Sequence, residues 1–436
     1  MTEQLLQFLW SSAYLPENNF ITTSGQTIEV VSFGKINSNS GPDFVDAKVK
    51  INDTLWCGTV EMHLKSSDWF KHQHQTNKEY NTVILHVVTE NDVAVKRHTG
   101  EEIPTLILKI PDELIKNYDT LKSKNKINNC YSFISENDTF YFKSYLYHLL
   151  ITRLERKSND IALLFNKQNQ NWEKTLYQYL AKHFGFKINA YPFEKLAESI
   201  PLENFAKIKN SLIQIEALLF GQSGFLSNDL TCEYALKLKK EYQHLQKMLT
   251  TITSPIEPSL WKHLRLRPQN FPEMRIAQFA GLIYHSKHLF SKILEVQNID
   301  ELRKLLNLET SEYWQNHFRL DGNYKIRKTS NNSSMNSIAK DLLIINGILP
   351  VLFYYGQKTD NQNYIQKAID LLESMSAEKN SIISKWEEVG FKPKCAHESQ
   401  ALLELYNEYC LPGFCLKCRI GKKYIMKKIE TENNTI

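Results

Sequence analysis

The sequence predicts an α+β protein, with an N-terminal mixed β-sheet domain and flanking helices followed by a mostly α-helical C-terminal part. Within the first 110 residues, short runs alternate apolar and polar side chains, which is typical of half-buried strands. After residue 140, apolar residues recur at helical spacing over much longer ranges. Because 436 residues exceed one ordinary hydrophobic core, we expect two or three domains.

The composition is that of an ordinary globular protein. Hydrophobic residues make up 42% and charged residues 23%, which excludes general disorder. The net charge of +5 is small for this length and does not by itself indicate a nucleic-acid binder. No uninterrupted apolar run approaches the roughly 20 residues that cross a bilayer, and the N-terminus lacks the features of a signal peptide. We therefore expect a cytoplasmic protein with no membrane partner.

The first predicted domain covers residues 1–125 and ends at a polar, basic connector. Its elements are predicted in the order helix, three strands, helix, strand, with further strand structure within 92–110. The corresponding ranges are 4–10, 28–34, 44–51, 55–64, a helix whose start is marked by Ser66, Ser67 and Asp68, and 81–88.

The second predicted domain covers residues 130–390 and is helical, and a cysteine-rich segment follows at 391–425. Apolar side chains recur at helical spacing over 140–166, 172–184, 205–220, 233–249, 273–295, 338–355, 362–389 and 398–409.

Acidic and imidazole side chains gather on the second and third predicted strands. Asp43 precedes the strand at 44–51, and Glu61 lies within the next strand. Side chains two residues apart on a strand point to one face, so Glu61, His63 and Lys65 share a face. Carboxylate oxygens suit Mg²⁺ and Mn²⁺, so Asp43 and Glu61 are predicted to bind one of these ions while His63 or Lys65 positions water. The simpler alternative is a turn capped by Asp43 and a solvated strand face.

Pro42-Asp43 followed by Glu61-Met62-His63 resembles the motif of the PD-(D/E)xK nuclease superfamily. The resemblance implies a restriction-endonuclease-like core, in which a Pro-Asp and a later acid-x-Lys meet within a helix–three strands–helix–strand order. It also implies an acidic residue on the first helix, for which Glu3 is available. The motif has Lys where this chain has His63, so either His63 takes that role or Lys65 or Lys48 does.

Further histidines surround the helix that follows the third strand. Asp68 and His72 are one helical turn apart and can pair, whereas His72 and His74 are two residues apart and cannot share a helix face. Together these three residues offer an alternative site, that of a metal-dependent hydrolase acting on a smaller molecule. His86 lies within an apolar strand and is expected to be a satisfied core histidine.

Over nearly its whole length the chain is similar to an uncharacterised bacterial family, domain of unknown function 2851. The strings that carry this resemblance are GPDF, VEMHLKSSDW, YNTVILHVV, RPQNFPEMRIAQ and YNEYCLPGFCLKCRIG. The resemblance implies kinship and brings no activity with it.

Four cysteines crowd into the C-terminal segment. Cys415 and Cys418 are spaced to chelate one ion, Cys410 is near enough to be a third ligand, and Cys395 or His397 would complete the set. Four such ligands bind zinc tetrahedrally, and four thiolates also hold an iron–sulfur cluster. We expect a structural metal site here in preference to buried free thiols.

A proline-bounded loop carries Arg265, Arg267 and Arg275, which can hold phosphates through charge and bidentate guanidinium contacts. Together with the strand site, these arginines predict a metal-dependent nuclease or phosphodiesterase that acts on DNA or RNA. The alternative is a non-catalytic nucleic-acid-binding protein with a degenerate nuclease-like core and a structural metal site.

Overall fold

The protein was analysed as a computed structural model that describes residues 2–12, 19–37, 39–122, 127, 130–131, 134, 139–227, 230–320 and 335–426. The predicted α+β class is confirmed, with an N-terminal mixed sheet, C-terminal helices and 58% helix overall. The chain forms two compact units: unit 1 consists of Met1–Phe142 and Leu405–Ile436, and unit 2 of Lys143–Glu404. These units differ from the predicted ranges 1–125, 130–390 and 391–425, because the end of the chain belongs to unit 1.

Unit 1 is built on a seven-stranded mixed sheet. Its strands are β1 (Asn19–Ile21), β2 (Thr27–Ser32), β3 (Lys35–Ile36), β4 (Phe44–Ile51), β5 (Thr54–Lys65), β6 (Val83–Glu90) and β7 (Thr105–Ile107). The order across the sheet is β1-β2-β4-β5-β6-β7, with β3 also paired to β4. Neighbours are antiparallel from β1 to β5, whereas β5, β6 and β7 run parallel. The strands predicted at 44–51 and 55–64 are confirmed as β4 and β5.

A bulge bends β4 just after Asp43. The register with β5 shifts between Phe44 and Ala47, and Asp46 has a left-handed backbone, with φ of 58°. A bulge locally re-aims the strand that carries it. Phe44 and Ala47 are nevertheless both buried, so the bulge keeps the apolar side of β4 in the core while it redirects the start of the strand.

The first helix, α1 (Glu3–Ser11), has two apolar faces. Leu6 and Trp10 pack into the core of the sheet, where Trp10 Nε1 donates a hydrogen bond of 3.0 Å to the Phe33 carbonyl. The opposite face packs on α3 (Asp112–Lys122) and on the last helix (Arg419–Met426). This second apolar cluster explains why the C-terminal residues belong to unit 1. A short helix, α2 (Asp68–Lys71), lies between β5 and β6.

Unit 2 is built from helices joined by loops, with no named strand among its described residues. Its helices are α4 (Thr139–Lys167, which begins in unit 1), α5 (Trp172–Phe184), α6 (Ala190–Ser199), α7 (Leu202–Ile208), α8 (Leu212–Gln222), α9 (Glu233–Met248), α10 (Pro272–His285), α11 (Leu289–Glu295), α12 (Ile299–Leu305), α13 (Tyr313–Asn316), α14 (Ser337–Leu343), α15 (Leu349–Lys358), α16 (Gln362–Ser374), α17 (Ser381–Glu388) and α18 (Ala396–Glu404); the last helix, in unit 1, is α19. The helices predicted at 205–220, 273–295 and 362–389 are each two helices. At one of these breaks His288 has a left-handed backbone, with φ of 54°, which a continuous helix cannot accommodate.

The helical stretch from Ser337 to Lys358 joins α14 to α15 through a wider π-helical turn, Ile344–Ile348. Among the described residues it is the one helix whose length and composition would allow it to cross a membrane, although the sequence showed no uninterrupted apolar run. Of its most apolar window, 67% is buried within the protein, as in the core helix of a globular domain.

Candidate metal site

The site in unit 1 begins with two carboxylates that the strands hold side by side. The backbone N–H of Asp43 donates a hydrogen bond of 3.0 Å to Glu61 Oε2. In return, the backbone N–H of Met62 donates one of 3.0 Å to Asp43 Oδ2. From α1, Gln7 Nε2 donates to Asp43 Oδ1 at 2.8 Å. The predicted convergence of Asp43 and Glu61 is therefore present, and three donors fix its geometry.

Both carboxyl groups bind protons more tightly than usual. Burial, and after it the adjacent Glu61 carboxylate, raises the pKa of Asp43 to about 7, while the hydrogen bond from Gln7 opposes the shift. Burial likewise raises the pKa of Glu61 to about 8, with Glu3 as an additional negative neighbour. The pKa of Glu3 is also raised, by burial first, although His72 lowers it. Three neighbouring carboxylates repel one another when they are charged, and a bound cation would relieve that repulsion.

Imidazole rings cover the Glu61 carboxylate. His74 Nε2 lies 3.2 Å and His63 Nε2 lies 3.6 Å from Glu61 Oε1. His63 Nε2 is also 3.1 Å from His72 Nδ1. One ligand atom from each of His63, His72 and His74 lies within 4.8 Å of the others, which is close enough for a shared metal ion. His72 and His74 therefore converge, although they do not share a helix face.

The reason for that convergence is local backbone geometry. The helix α2 ends at Lys71, and Gln73 then takes a left-handed conformation with φ of 61°. A new short turn begins at His74, so the two histidines do not belong to one helix. Helical spacing therefore does not apply to this pair.

Buried side chains fix the position of the His63 ring. Its Nδ1 is 2.9 Å from Nε2 of His86, which lies opposite Glu61 on β6. Burial first, and then the neighbouring imidazoles, lowers the pKa of both His63 and His86 to about 3, so both rings are neutral at physiological pH. Trp69 packs edge-on to His63, and Tyr80 stacks on His74 with ring centroids 3.8 Å apart.

The donor set fits a divalent metal. His74 Nε2 is buried and, among the described residues, has no hydrogen-bond partner, although it faces a carboxylate oxygen. The pairing of His63 with His86 is the kind of outer contact that fixes the tautomer of a metal-binding imidazole. Glu61, His63, His72 and His74 could therefore hold an ion next to Asp43. The mixture of imidazole and carboxylate suits Mn²⁺ and later transition metals better than Mg²⁺.

The other predicted residues of the strand site lie elsewhere. Lys65 is at the exposed end of β5, where its Nζ donates to Glu90 at 2.9 Å. Asp68 forms an ion pair with Lys71 instead of the predicted pair with His72. Lys48 is exposed on β4. Thus Glu3, Asp43, Glu61 and His63 are brought together, and the lysines are not.

The predicted phosphate-binding arginines all belong to unit 2, whereas the predicted metal-binding cysteines are divided between the two units. Arg265, Arg267 and Arg275 belong to unit 2, where all three line one cavity. Cys395 also belongs to unit 2. The remaining three predicted metal-binding cysteines belong to unit 1, so the predicted set of four stays a prediction.

Gln7 was missed by sequence reasoning, although a signal existed. It is four residues after Glu3 on α1, so the two side chains share a face of that helix. Once Glu3 was a candidate, Gln7 followed from this spacing.

Comparison with known proteins gives a single match. A family model described as "Protein of unknown function (DUF2851)" matches residues 3–381. No curated protein and no solved structure matches the chain. The matched range contains the site around Asp43 and Glu61 as well as the three arginines, and it ends before Cys395.

Proposed function

The chain belongs to the DUF2851 family, and we propose that it is a divalent-metal-dependent nuclease or related phosphodiesterase whose active site is formed around Asp43 and Glu61. The observation that carries the proposal is the convergence of these two carboxylates, in which Glu61 accepts from the Asp43 N–H and Asp43 accepts from the Met62 N–H, with His63 and His74 facing Glu61 Oε1 at 3.6 and 3.2 Å. Two ionisable carboxyls with raised pKa beside imidazole donors are typical of a functional site.

The residues have distinct roles in this proposal. Asp43, Glu61 and the imidazoles of His63, His72 and His74 would hold the ion, while Gln7 orients Asp43 and His86 orients His63. When bound, a divalent cation polarises a phosphoryl oxygen and acidifies a water. Glu3 lies close enough to interact electrostatically with His72 and His74, so its carboxylate is placed to accept a proton from that water.

The arrangement of elements supports membership of the PD-(D/E)xK superfamily. The chain passes from α1 through β2, β4 and β5 to the short α2 and then to β6, in keeping with the helix–three strands–helix–strand order. The antiparallel strands and the parallel β5–β6 pair place Asp43 and Glu61 on neighbouring strands, as the motif requires. His63 stands at the lysine position, so this chain would represent a histidine variant of the motif.

The test is cleavage of DNA and of RNA by the full-length protein with Mg²⁺, Mn²⁺ or Zn²⁺. We expect activity with Mn²⁺, and a loss of about a hundredfold or more in Asp43→Ala and in Glu61→Ala. Asp53→Ala, in the exposed β4–β5 turn, is the matched control and should keep full activity. Cleavage that persists in both site variants would contradict the proposal.

Two other outcomes would identify a different function. Binding of nucleic acid without cleavage under any metal would support the non-catalytic binding protein. The close approach of His63, His72 and His74 favours a hydrolase acting on small molecules as the second candidate. Hydrolysis of a small phosphodiester such as bis(p-nitrophenyl) phosphate, with nucleic acids left intact, would support it.

A further inference from the structure

A cavity of about 490 Å³ in unit 2 carries a positive lining. It lies beside the end of α5, the loop before α10 and the start of α14, and its charged side chains are Lys187, Arg265, Arg267 and Arg275. Among the described residues that line it there is no Asp or Glu. Cavities of this size accommodate small organic ligands.

Arg275 carries a buried positive charge in the wall of this cavity. Its side chain is buried, with 4% exposure. One terminal nitrogen donates to Gln278 Oε1 at 2.8 Å, and the other donates to Asn270 Oδ1 at 2.6 Å. The guanidinium also lies 4.6 Å from the centre of the Phe186 ring. All these partners are uncharged.

Nothing in the described part of the chain neutralises this guanidinium. Its Nε is buried and has no hydrogen-bond partner there. Burial lowers the pKa of Arg275 to about 10, which leaves it charged at physiological pH. A buried charge without a counter-ion is costly, and a bound anion would remove that cost. Arg275 is also in the first turn of the 14-residue α10, where the helix dipole favours negative charge.

We propose that this cavity binds a small phosphate ester, with the phosphate held by Arg275 and by the exposed Arg265 and Arg267. Guanidinium groups match the geometry of phosphate oxygens through paired hydrogen bonds. The apolar side chains that also line the cavity, among them Phe184 and Leu342, would contact the organic part of the ligand. The ligand class is therefore an ester of nucleoside monophosphate size. This proposal does not depend on the site in unit 1.

The experiment is calorimetric titration of the full-length protein with inorganic phosphate, adenosine monophosphate and adenosine. We expect the monophosphate to bind more tightly than inorganic phosphate, and adenosine to bind least. Arg275→Gln, which removes the positive charge and keeps a polar side chain, should weaken binding by about tenfold or more. Lys262→Gln, an exposed cation on the same loop that does not line the cavity, is the matched control.

Three results would overturn the proposal. These are the absence of binding by any of the probes, unchanged affinity in Arg275→Gln, and adenosine binding as tightly as its monophosphate. If Arg275→Gln does not fold, Arg267→Gln serves in its place because Arg267 is exposed, and unchanged affinity there has the same meaning.

A second and independent observation concerns the cysteines of unit 1. Cys410, Cys415 and Cys418 are separated by tight turns, in which Gly413 N–H donates to the Cys410 carbonyl and Cys418 N–H donates to the Cys415 carbonyl, both at 3.2 Å. Gly413 has φ of 80°, which favours glycine. Cys415 and Cys418 are buried just before α19. Buried thiols on successive turns resemble the pairs that hold soft metals.

A fourth cysteine from a distant part of the sequence joins them. Cys130 packs against the apolar cluster that contains Cys415. Unit 1 therefore brings four thiols into one neighbourhood without Cys395.

We propose that Cys130, Cys410, Cys415 and Cys418 form a metal centre with four thiolate ligands, for either a zinc ion or an iron–sulfur cluster. Both metals accept four thiolates, and each cysteine releases its proton when it binds. The exposed cations Lys417, Arg419 and Lys422 are close in sequence and would offset the negative charge of the centre.

The test is the metal content and the visible absorption of the full-length protein purified without oxygen. We expect stoichiometric zinc without visible absorption, or iron and sulfide with it. Cys130→Ser and Cys418→Ser should lose most of the metal, whereas Cys395→Ser and the exposed Cys57→Ser should keep it. A wild-type protein without zinc or iron would overturn the proposal. Metal retained in Cys130→Ser but lost in Cys395→Ser would also overturn it and would support the set predicted from the sequence.

Discussion

Replacing Glu61 by Gln should change how stability depends on pH in the absence of metal. The pKa values of Asp43 and Glu61, about 7 and about 8, are higher than those of the unfolded chain, about 4. The folded protein therefore holds more protons between these values, and the free energy of unfolding falls as pH rises through them. Glu61→Gln removes one titrating group and retains an acceptor for the Asp43 N–H.

The histidines determine the pH range in which the effect of the carboxyl groups on stability can be measured. The pKa values of His63 and His86, about 3, lie below the ordinary value of about 6.5, so these rings add stability as pH rises to that point. Above pH 6.5 their contribution is nearly complete, so the difference in pH dependence between wild type and Glu61→Gln reports on the carboxyl groups. Between pH 6.5 and pH 8 one carboxyl of pKa about 8 lowers the free energy of unfolding by about 2 kcal/mol.

Urea unfolding in the presence of EDTA at several pH values measures this effect. Wild-type protein should lose about 2 kcal/mol between pH 6.5 and pH 8, and Glu61→Gln should lose much less. Addition of Mn²⁺ should restore the stability of wild type at pH 8 and have little effect on Glu61→Gln, because a ligand of the folded state stabilises it. The same pH slope in both proteins would refute the reasoning.

Two further substitutions test the packing of each unit. Gly58→Ala would place a Cβ 2.5 Å from Ile84 Cγ2, between β5 and β6, so we expect a loss of about 2 kcal/mol in urea unfolding; an unchanged midpoint would contradict the strand register. Glu404→Gln should lose about 3 to 5 kcal/mol, since the buried Glu404 carboxylate is 3.3 Å from the largely buried Arg153 guanidinium. Glu203→Gln breaks an ion pair of a mostly exposed carboxylate, so it should lower the free energy of unfolding by less than about 1 kcal/mol. Equal losses in Glu203→Gln and Glu404→Gln would contradict the expected difference between an exposed and a buried ion pair.

The sequence was informative wherever a single periodicity governed the chain. Alternation predicted β4 and β5 and placed Glu61 and His63 on one face, because the side-chain period of a strand is two. Where the backbone departs from regular structure, spacing along the sequence does not give the geometry. The left-handed Gln73 lies between His72 and His74, and nothing in the local sequence indicates that change of backbone direction.

Contacts between distant residues were not predictable for a different reason. Cys130 is far from the C-terminal cysteines along the chain, and it reaches them because α19 packs on α1 and α3. That packing depends on apolar faces whose partners cannot be identified from one sequence. The same limit applies to Arg275, whose lack of a counter-ion is apparent only once its neighbours are known.

In the proposed nuclease site, His63 occupies the position of the motif lysine, and this determines what the rest of the site must supply. A lysine would bring a positive charge to the phosphate, whereas the pKa of His63, about 3, leaves its ring neutral at any physiological pH. The contribution of His63 to the proposed chemistry is therefore positional, through a ring fixed between His86 and His72. Neutralisation of the phosphate then falls to the bound cation, for which His72 and His74 add two donors. In this proposal the additional histidines compensate for the missing lysine, and activity should follow the occupancy of the metal.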